Sequence, residues 1–254
     1  MAEKLSEKDI ENISIEGTEE HAVMPLRNTV LFPQQVIPIY IGREKSLKLI
    51  SDLESEKRKY IIVVAQEDGS VEDPIPEDLY SYGTLATVLK VFAMPDNSKS
   101  AIVQGISRVK ILDYIEKEPY FKAAVSSISD DPASNELDLV SIADNLRKSF
   151  SDLIKVAPNL TEEHTGMLSN IQKPNRLVDR AISLMTLPNQ EKQDILEETN
   201  VKKRIEKAIS IINREIQRIK LGDEIQTEVH DEIAKTQREY YLREQMKAIQ
   251  KELG

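Results

Sequence analysis

From Asn200 to Leu253 the chain has no proline and only one interior glycine, Gly222. Apolar side chains recur there as Val201, Ile205, Ala208, Ile212, Ile216 and Ile219, then as Ile225, Val229, Ile233, Thr236 and Tyr240. That three-and-four spacing is one face of an α-helix. A single helix of this length extends on the order of 80 Å at ~1.5 Å per residue. This exceeds the diameter of a compact domain, so its far end projects or meets a partner. Gly222 is the weak point, because glycine costs about 1 kcal/mol inside a helix. It is the candidate hinge, set against the reading that an isolated helical glycine is simply tolerated.

Ahead of that run the period is different. Short apolar runs rich in Val, Ile, Tyr and Phe occupy residues 22–26, 36–41, 60–65, 84–93, 101–104, 109–115 and 121–128. Gly, Pro, Asp and Asn separate them, as they separate β-strands. Met94-Pro95-Asp96-Asn97 reads as a hairpin tip, and Pro38 marks an edge strand or a bulge. One short helix fits residues 44–54, with Leu47, Ile50 and Leu53 on its buried stripe. Many short strands with one helix predict a small, partly closed β-barrel or sandwich. Near Asp130-Asp131-Pro132 the period changes. Leu139, Ile142, Leu146, Phe150 and Leu153 follow helical spacing, with Ser134 as a cap. Further helices are predicted over 161–171, 174–187 and 189–198, divided by Pro158, Pro174 and Pro188. The chain thus divides into a flexible tail (1–20), a β-rich subdomain (21–131), a helical bundle (132–199) and the long helix (200–254), an α+β architecture.

Charge and composition exclude much chemistry. There is no cysteine, so no disulfide and no thiolate nucleophile or ligand. The net charge is −10. Residues 200–254 carry 12 basic and 10 acidic side chains, the remainder 22 basic and 34 acidic. An acidic body repels phosphate, so no nucleic-acid partner is expected. No apolar run approaches the roughly 20 residues that span a bilayer, and no signal or transit pattern opens the chain, so a cytoplasmic protein without a membrane partner is expected. The eight glycines, at 17, 42, 69, 83, 105, 166, 222 and 254, offer neither the P-loop spacing nor a Gly-x-Ser-x-Gly elbow. His21, His164 and His230 lie in different segments, which fits solvated or capping roles better than a metal pair or a catalytic triad. The densest acidic stretch, Glu67, Asp68, Glu72, Asp73, Glu77 and Asp78, lacks calcium-loop order and reads as a proline-stiffened solvated loop, or as a binding loop for basic peptides.

Two stretches resemble one family. Met24-Pro25-Leu26-Arg27-Asn28-Thr29-Val30-Leu31-Phe32-Pro33, followed by Ile37-Pro38-Ile39 and Gly42-Arg43-Glu44-Lys45-Ser46, is similar to the opening motif of the Lon protease amino-terminal domain. Gly83-Thr84-Leu85-Ala86 and Gly105-Ile106-Ser107-Arg108 fall where that domain has its later glycine-led strands. Arg238-Glu239-Tyr240-Tyr241-Leu242-Arg243-Glu244-Gln245-Met246-Lys247-Ala248-Ile249-Gln250-Lys251-Glu252-Leu253-Gly254 closely resembles the segment just before the Lon ATPase module. The resemblance implies the amino-terminal region of a bacterial-type ATP-dependent serine protease working as a ring, usually a hexamer, with ATP and magnesium in the full-length parent. It implies a PUA-like β-subdomain, a helical subdomain and a long helix. The family's nucleotide site and Ser–Lys dyad lie beyond Gly254, so the chain is expected to be truncated before the ATPase module. No catalytic, cofactor or metal residue carries over.

The resemblance further implies that the segment captures unfolded or degron-bearing proteins and organises copies of itself into a ring. Capture needs exposed apolar surface. The candidates are Val30, Leu31 and Phe32 in the proline-bracketed turn, where neighbours on a strand face opposite ways, and Met94 at the hairpin tip. The competing reading is that these residues fill the barrel's own core. Tyr240, Tyr241, Leu242 and Met246 make the long helix apolar on more than one side, and are candidate contacts to a partner helix or domain, against packing on their own bundle. The alternative function is a stand-alone peptide- or ligand-binding adaptor that dimerises through Ile205, Ile212 and Ile219 as a coiled-coil seam.

Overall fold

A computed structural model describes Ile15 and residues 17–55, 59–131 and 136–254. Six strands, β1 (Thr18–Leu26), β2 (Val36–Ile41), β3 (Tyr60–Ala65), β4 (Tyr82–Ala93), β5 (Lys99–Glu116) and β6 (Lys122–Ser127), precede most of the helices. The helices are α1 (Glu44–Glu54), α2 (Glu136–Ile154), α3 (Glu162–Ser169), α4 (Pro174–Leu184), α5 (Asn189–Glu197) and α6 (Val201–Glu252). The strand order is β2-β5-β4-β3-β1-β6, and β6 returns to pair with β5. That return closes the sheet into a barrel, one of the two architectures, barrel or sandwich, that the short strands predict. β1 and β3 run parallel and the other pairs antiparallel.

The largest departure from the sequence pattern is β5. The runs 101–104 and 109–115 are one strand of 18 residues that crosses Gly105. A Cβ at Gly105 would stand 2.3 Å from the Phe32 carbonyl oxygen, so only glycine lets the chain at 32–35 cross the strand so closely. Register shifts at Ile111/Asp113 and Tyr114/Glu116 then reverse the alternation. Ile115 is exposed, whereas Tyr114 packs edge-to-face on Phe121 with centroids 5.7 Å apart. Pro38 sits where it was expected, on β2, whose pairing is with β5 alone.

Two boundaries need correction. Thr18–Glu20 belong to β1 and pair with β6, and Ile15 is buried in the core. The expected tail therefore ends earlier than residue 20. Residues 1–14 and 16, like the proposed cap Ser134, lie outside those described. The bundle also does not stop at 199. Val201, Ile205, Ala208 and Ile212 are buried in it, so the first turns of α6 are bundle residues. Asn200 caps that helix, its Oδ1 accepting from the Lys203 amide at 3.0 Å. The helices otherwise fall close to the predicted spans, with α4 ending at Leu184, three residues short of the expected end.

Two apolar cores result. One gathers Met24, Leu31, Ile41, Leu49, Ile61 and Val103 under α1. The other joins barrel residues such as Phe32, Leu85, Val109 and Val125 to Leu146, Phe150, Leu177, Ile182 and Ile205 of the bundle. Barrel and bundle therefore pack as one body.

Candidate functional site

The proline-bracketed turn does not present a binding surface. Val30, Leu31 and Phe32 are 2%, 2% and 0% exposed. Leu31 and Phe32 do face opposite ways, as an extended chain requires. Both directions lead into core, however: Leu31 into the α1 side and Phe32 into the bundle side. Thr84 Oγ1 donates to the Leu31 carbonyl at 2.5 Å, and the Phe32 amide donates to Gln35 Oε1 at 3.0 Å. The expectation that one of the pair is free for capture is thus overturned.

Met94 is exposed, and the fold places it beside two aromatic residues that the sequence reading passed over. Tyr40 on β2 and Phe92 on β4 both pair with Ser100 of β5, from opposite sides. Residues in register across a sheet point to the same face. Tyr40 is 68% exposed, Phe92 39% and Met94 42%. Val36 and Pro38 alternate with buried or half-buried neighbours along β2 and extend the same face. The period-two pattern of Val36, Pro38 and Tyr40 was the available signal. What hid it was the lack of any local mark of which face turns outward. The tip is held firmly. Tyr40 OH donates to Asp96 Oδ2 at 3.1 Å, the Ser98 amide donates to Asp96 Oδ1 at 3.1 Å, and Asn97 takes φ +63°. The Ser98 donors hold the Asp96 carboxyl below the usual carboxylate range. Lys90 Nζ lies 4.6 Å from the Phe92 ring centroid. The result is an outward apolar sheet face with a hydrogen-bonded polar rim.

The second surface is α6. Tyr240, Tyr241, Leu242 and Met246 are exposed, as are Leu221, Ile225, Val229 and Ile233. Packing on their own bundle is therefore ruled out for the four candidates. α6 is helical without interruption through Gly222, where an added Cβ would meet nothing within 4 Å. The structure shows no break at the candidate hinge. The helix spans 52 residues, about 78 Å at ~1.5 Å rise.

No group of three or more His, Asp or Glu side chains suited to a metal ion occurs among the described residues. His21 contacts Glu19, His164 Nδ1 accepts from the Thr161 amide at 3.0 Å as a helix cap, and His230 is exposed on α6. The acidic loop is solvated, with Glu67, Asp68, Glu72, Asp73 and Glu77 exposed. Gln66 Nε2 donates to the Asp68 and Val71 carbonyls, and Glu72 and Asp73 line a cavity of about 490 Å³ with Arg27 and Arg43. Burial, with Arg27 nearby, lowers the Arg43 pKa despite those two carboxylates.

Barrel and bundle are joined by buried charge. Arg108 Nη1 and Nη2 donate to the two Asp179 oxygens at 2.8 and 2.6 Å, and Arg108 Nε donates to the Leu196 carbonyl at 2.8 Å. Arg204, fully buried, pairs with Asp130, and its Nη1 lies 3.6 Å from Asp179 Oδ1.

Comparison with known proteins agrees with this architecture. The model of the ATP-dependent protease La (LON) substrate-binding domain matches residues 20–214. The chain is 39% identical over 232 residues to a Lon protease of Dictyoglomus thermophilum and 40% identical over 233 residues to one of Koribacter versatilis. These matches cover 91% of this chain but 29% and 28% of those proteins, so the chain spans less than a third of their length. Among solved structures, the N-terminal domain of a Mycobacterium avium complex Lon protease superposes with TM-score 0.61 at 19% identity, over 77% of this chain and 98% of that one. A Lon N-terminal domain protein from Xanthomonas campestris gives 0.55 at 15%, over 76% and 98%. At those identities the likeness is one of fold. Among the described residues, no helix is long and apolar enough to cross a membrane.

Proposed function

The chain belongs to the Lon substrate-binding-domain family, and from that premise we propose that it is the substrate-recognition and ring-organising segment of a cytoplasmic ATP-dependent Lon-type protease. On this reading the parent is a serine endopeptidase that removes misfolded, damaged and short-lived regulatory proteins. ATP with magnesium and the Ser–Lys dyad act elsewhere in the parent, and no residue of this chain is assigned to them. This segment selects and positions.

The observation that carries the reading is the outward face of Tyr40, Phe92 and Met94. Unfolded proteins differ from native ones chiefly in displaying apolar side chains. A firm apolar face gains roughly 25 cal/mol for each Å² of such surface it covers. Holding that face rigid before binding reduces the ordering cost of the encounter. The exposed apolar positions of α6 suit contacts with other copies in the hexameric parent.

The test is fluorescence anisotropy with a labelled unfolded protein and with its native form, without nucleotide. Selective binding of the unfolded form, weakened at least tenfold in Phe92→Ser/Met94→Ser, supports the reading. Equal binding by the folded double variant overturns it.

A further inference from the structure

We propose that the cleft between the start of α1 and the acidic loop binds a small zwitterion with an apolar side chain, an α-amino acid or a very short peptide with both ends free. This goes beyond the capture of unfolded protein and involves a different surface.

The cleft encloses about 490 Å³, within the range of small-molecule sites. Its lining offers three kinds of contact. Val23, Pro25, Leu49 and Phe121 give it apolar surface. Arg43 and Ser46, at the start of α1, give it donors. Ser46 is only 8% exposed, yet its hydroxyl has no hydrogen-bond partner among the described residues. Buried hydroxyls in folded proteins are nearly always paired, and a ligand oxygen in the cleft completes this one. The first amides of a helix have no acceptor within it, and the cap residue Arg43 makes no side-chain cap hydrogen bond. Helix start, hydroxyl and guanidinium together suit a carboxylate. Burial and the neighbouring Arg27 disfavour the Arg43 charge, so an anion beside it is favoured.

The opposite charge lies in the same cleft, where Glu44, Glu72 and Asp73 are exposed. Glu72 and Asp73 act on the Arg43 charge, but no ion pair joins either of them to it. Arg43 Nη2 donates instead to the neutral Gln66 Oε1 at 2.6 Å, and Lys45 pairs with Glu118 at 2.7 Å. The three carboxylates repel a phosphate or any other polyanion and offer acceptors to an ammonium group. A ligand with one charge of each sign meets both sets of groups, and its side chain covers the apolar surface. Gln66, fully buried, positions these groups beforehand. Its Oε1 holds Arg43, and its Nε2 donates to the Asp68 and Val71 carbonyls at 3.2 and 2.9 Å, which fixes the approach to Glu72. Beyond Asp73 the Ile75 amide donates to Asp78 Oδ2 at 2.9 Å. Groups held in place in this way cost little to order on binding.

The test uses the whole chain with L-leucine and with leucyl-leucine as probes, in calorimetric titration and thermal unfolding. The controls are leucinamide, which lacks the carboxylate, N-acetyl-leucine, which lacks the ammonium group, and glycine, which lacks the side chain. One-site saturable binding of leucine or of leucyl-leucine is expected, with a concentration-dependent rise in Tm and at least tenfold weaker binding of all three controls. The tighter of the two probes identifies the source as a free amino acid or a short peptide. The double variant Glu72→Gln/Asp73→Asn and the single variant Ser46→Ala are expected to keep their Tm without ligand and to lose at least tenfold in affinity for the tighter probe. Failure of both probes to bind, equal affinity for any of the three controls, or undiminished affinity in the folded variants would each overturn the proposal. None of these results bears on capture of unfolded protein at the sheet face.

Discussion

Arg108 of β5 and Asp179 of α4, 71 residues apart in sequence, meet in a buried two-pronged ion pair with hydrogen bonds of 2.8 and 2.6 Å. Neither side chain reaches water to any useful extent, since they are 6% and 5% exposed. Removing one partner leaves a buried charge without its counter-ion, which costs about 3–5 kcal/mol. Asp179→Leu or Arg108→Met is therefore expected to lower the unfolding free energy, read from urea denaturation, by that amount. A single-variant loss below about 1 kcal/mol would contradict this account.

The same junction sets an acid limit. Burial pushes the Asp130 carboxyl up, but Arg204, with help from Asn175 and Arg108, outweighs it and holds the pKa below the ordinary value of 3.8. A carboxylate depressed in the folded state contributes stability that is present above the unfolded pKa and lost as pH falls through the folded one. Wild type is thus expected to lose stability below about pH 4. Asp130→Asn should be less stable at pH 7 and show a shallower loss on acidification, read from urea midpoints at pH 7, 4 and 3.

Substitution at the 30–32 turn should act on folding rather than on capture. Phe32→Ala removes a fully buried ring, with an expected cost of about 3–5 kcal/mol. Phe92→Ser, on the outer face, should stay within about 1 kcal/mol of wild type. Circular dichroism melts of the two variants distinguish these cases. Equal destabilisation would mean that Phe92 is a core residue.

Gly105→Ala is expected to destabilise strongly, because the new Cβ would have to stand 2.3 Å from the Phe32 carbonyl oxygen and force that chain crossing apart. Gly222→Ala meets open space in a continuous helix and should raise local stability by up to about 1 kcal/mol. Hydrogen exchange across residues 215–230 reads the second effect. Faster exchange there in the alanine variant would show that the glycine conformation is needed.

Local patterns were informative wherever the deciding contacts lie within a few residues. Residues 44–54 and 36–41 form the helix and strand that their periods predict, and Asn97 makes the turn expected of the 94–97 tip. The strand over 109–115 was less legible, because two register shifts reverse which residues face inward and are set by the partner strand β6. Of the site, Met94 could be read from its turn. Tyr40 and Phe92 could not, because they become neighbours only through Ser100.

The sequence by itself determined the class of elements, the length of α6 and, through Met24–Pro33 and Arg238–Gly254, the family. Periodicity and motif are properties of neighbours along the chain and survive without knowledge of the fold. The tertiary structure alone decided that Leu31 and Phe32 are both buried, that Tyr40 and Phe92 share an outer face, and that Arg108 finds Asp179. The alternation of Leu31 and Phe32 says only that they point apart. Whether each direction meets water or core depends on what distant segments, α1 on one side and the bundle on the other, bring there. Burial is a property of the closed barrel and its bundle together, and a local period carries no information about it.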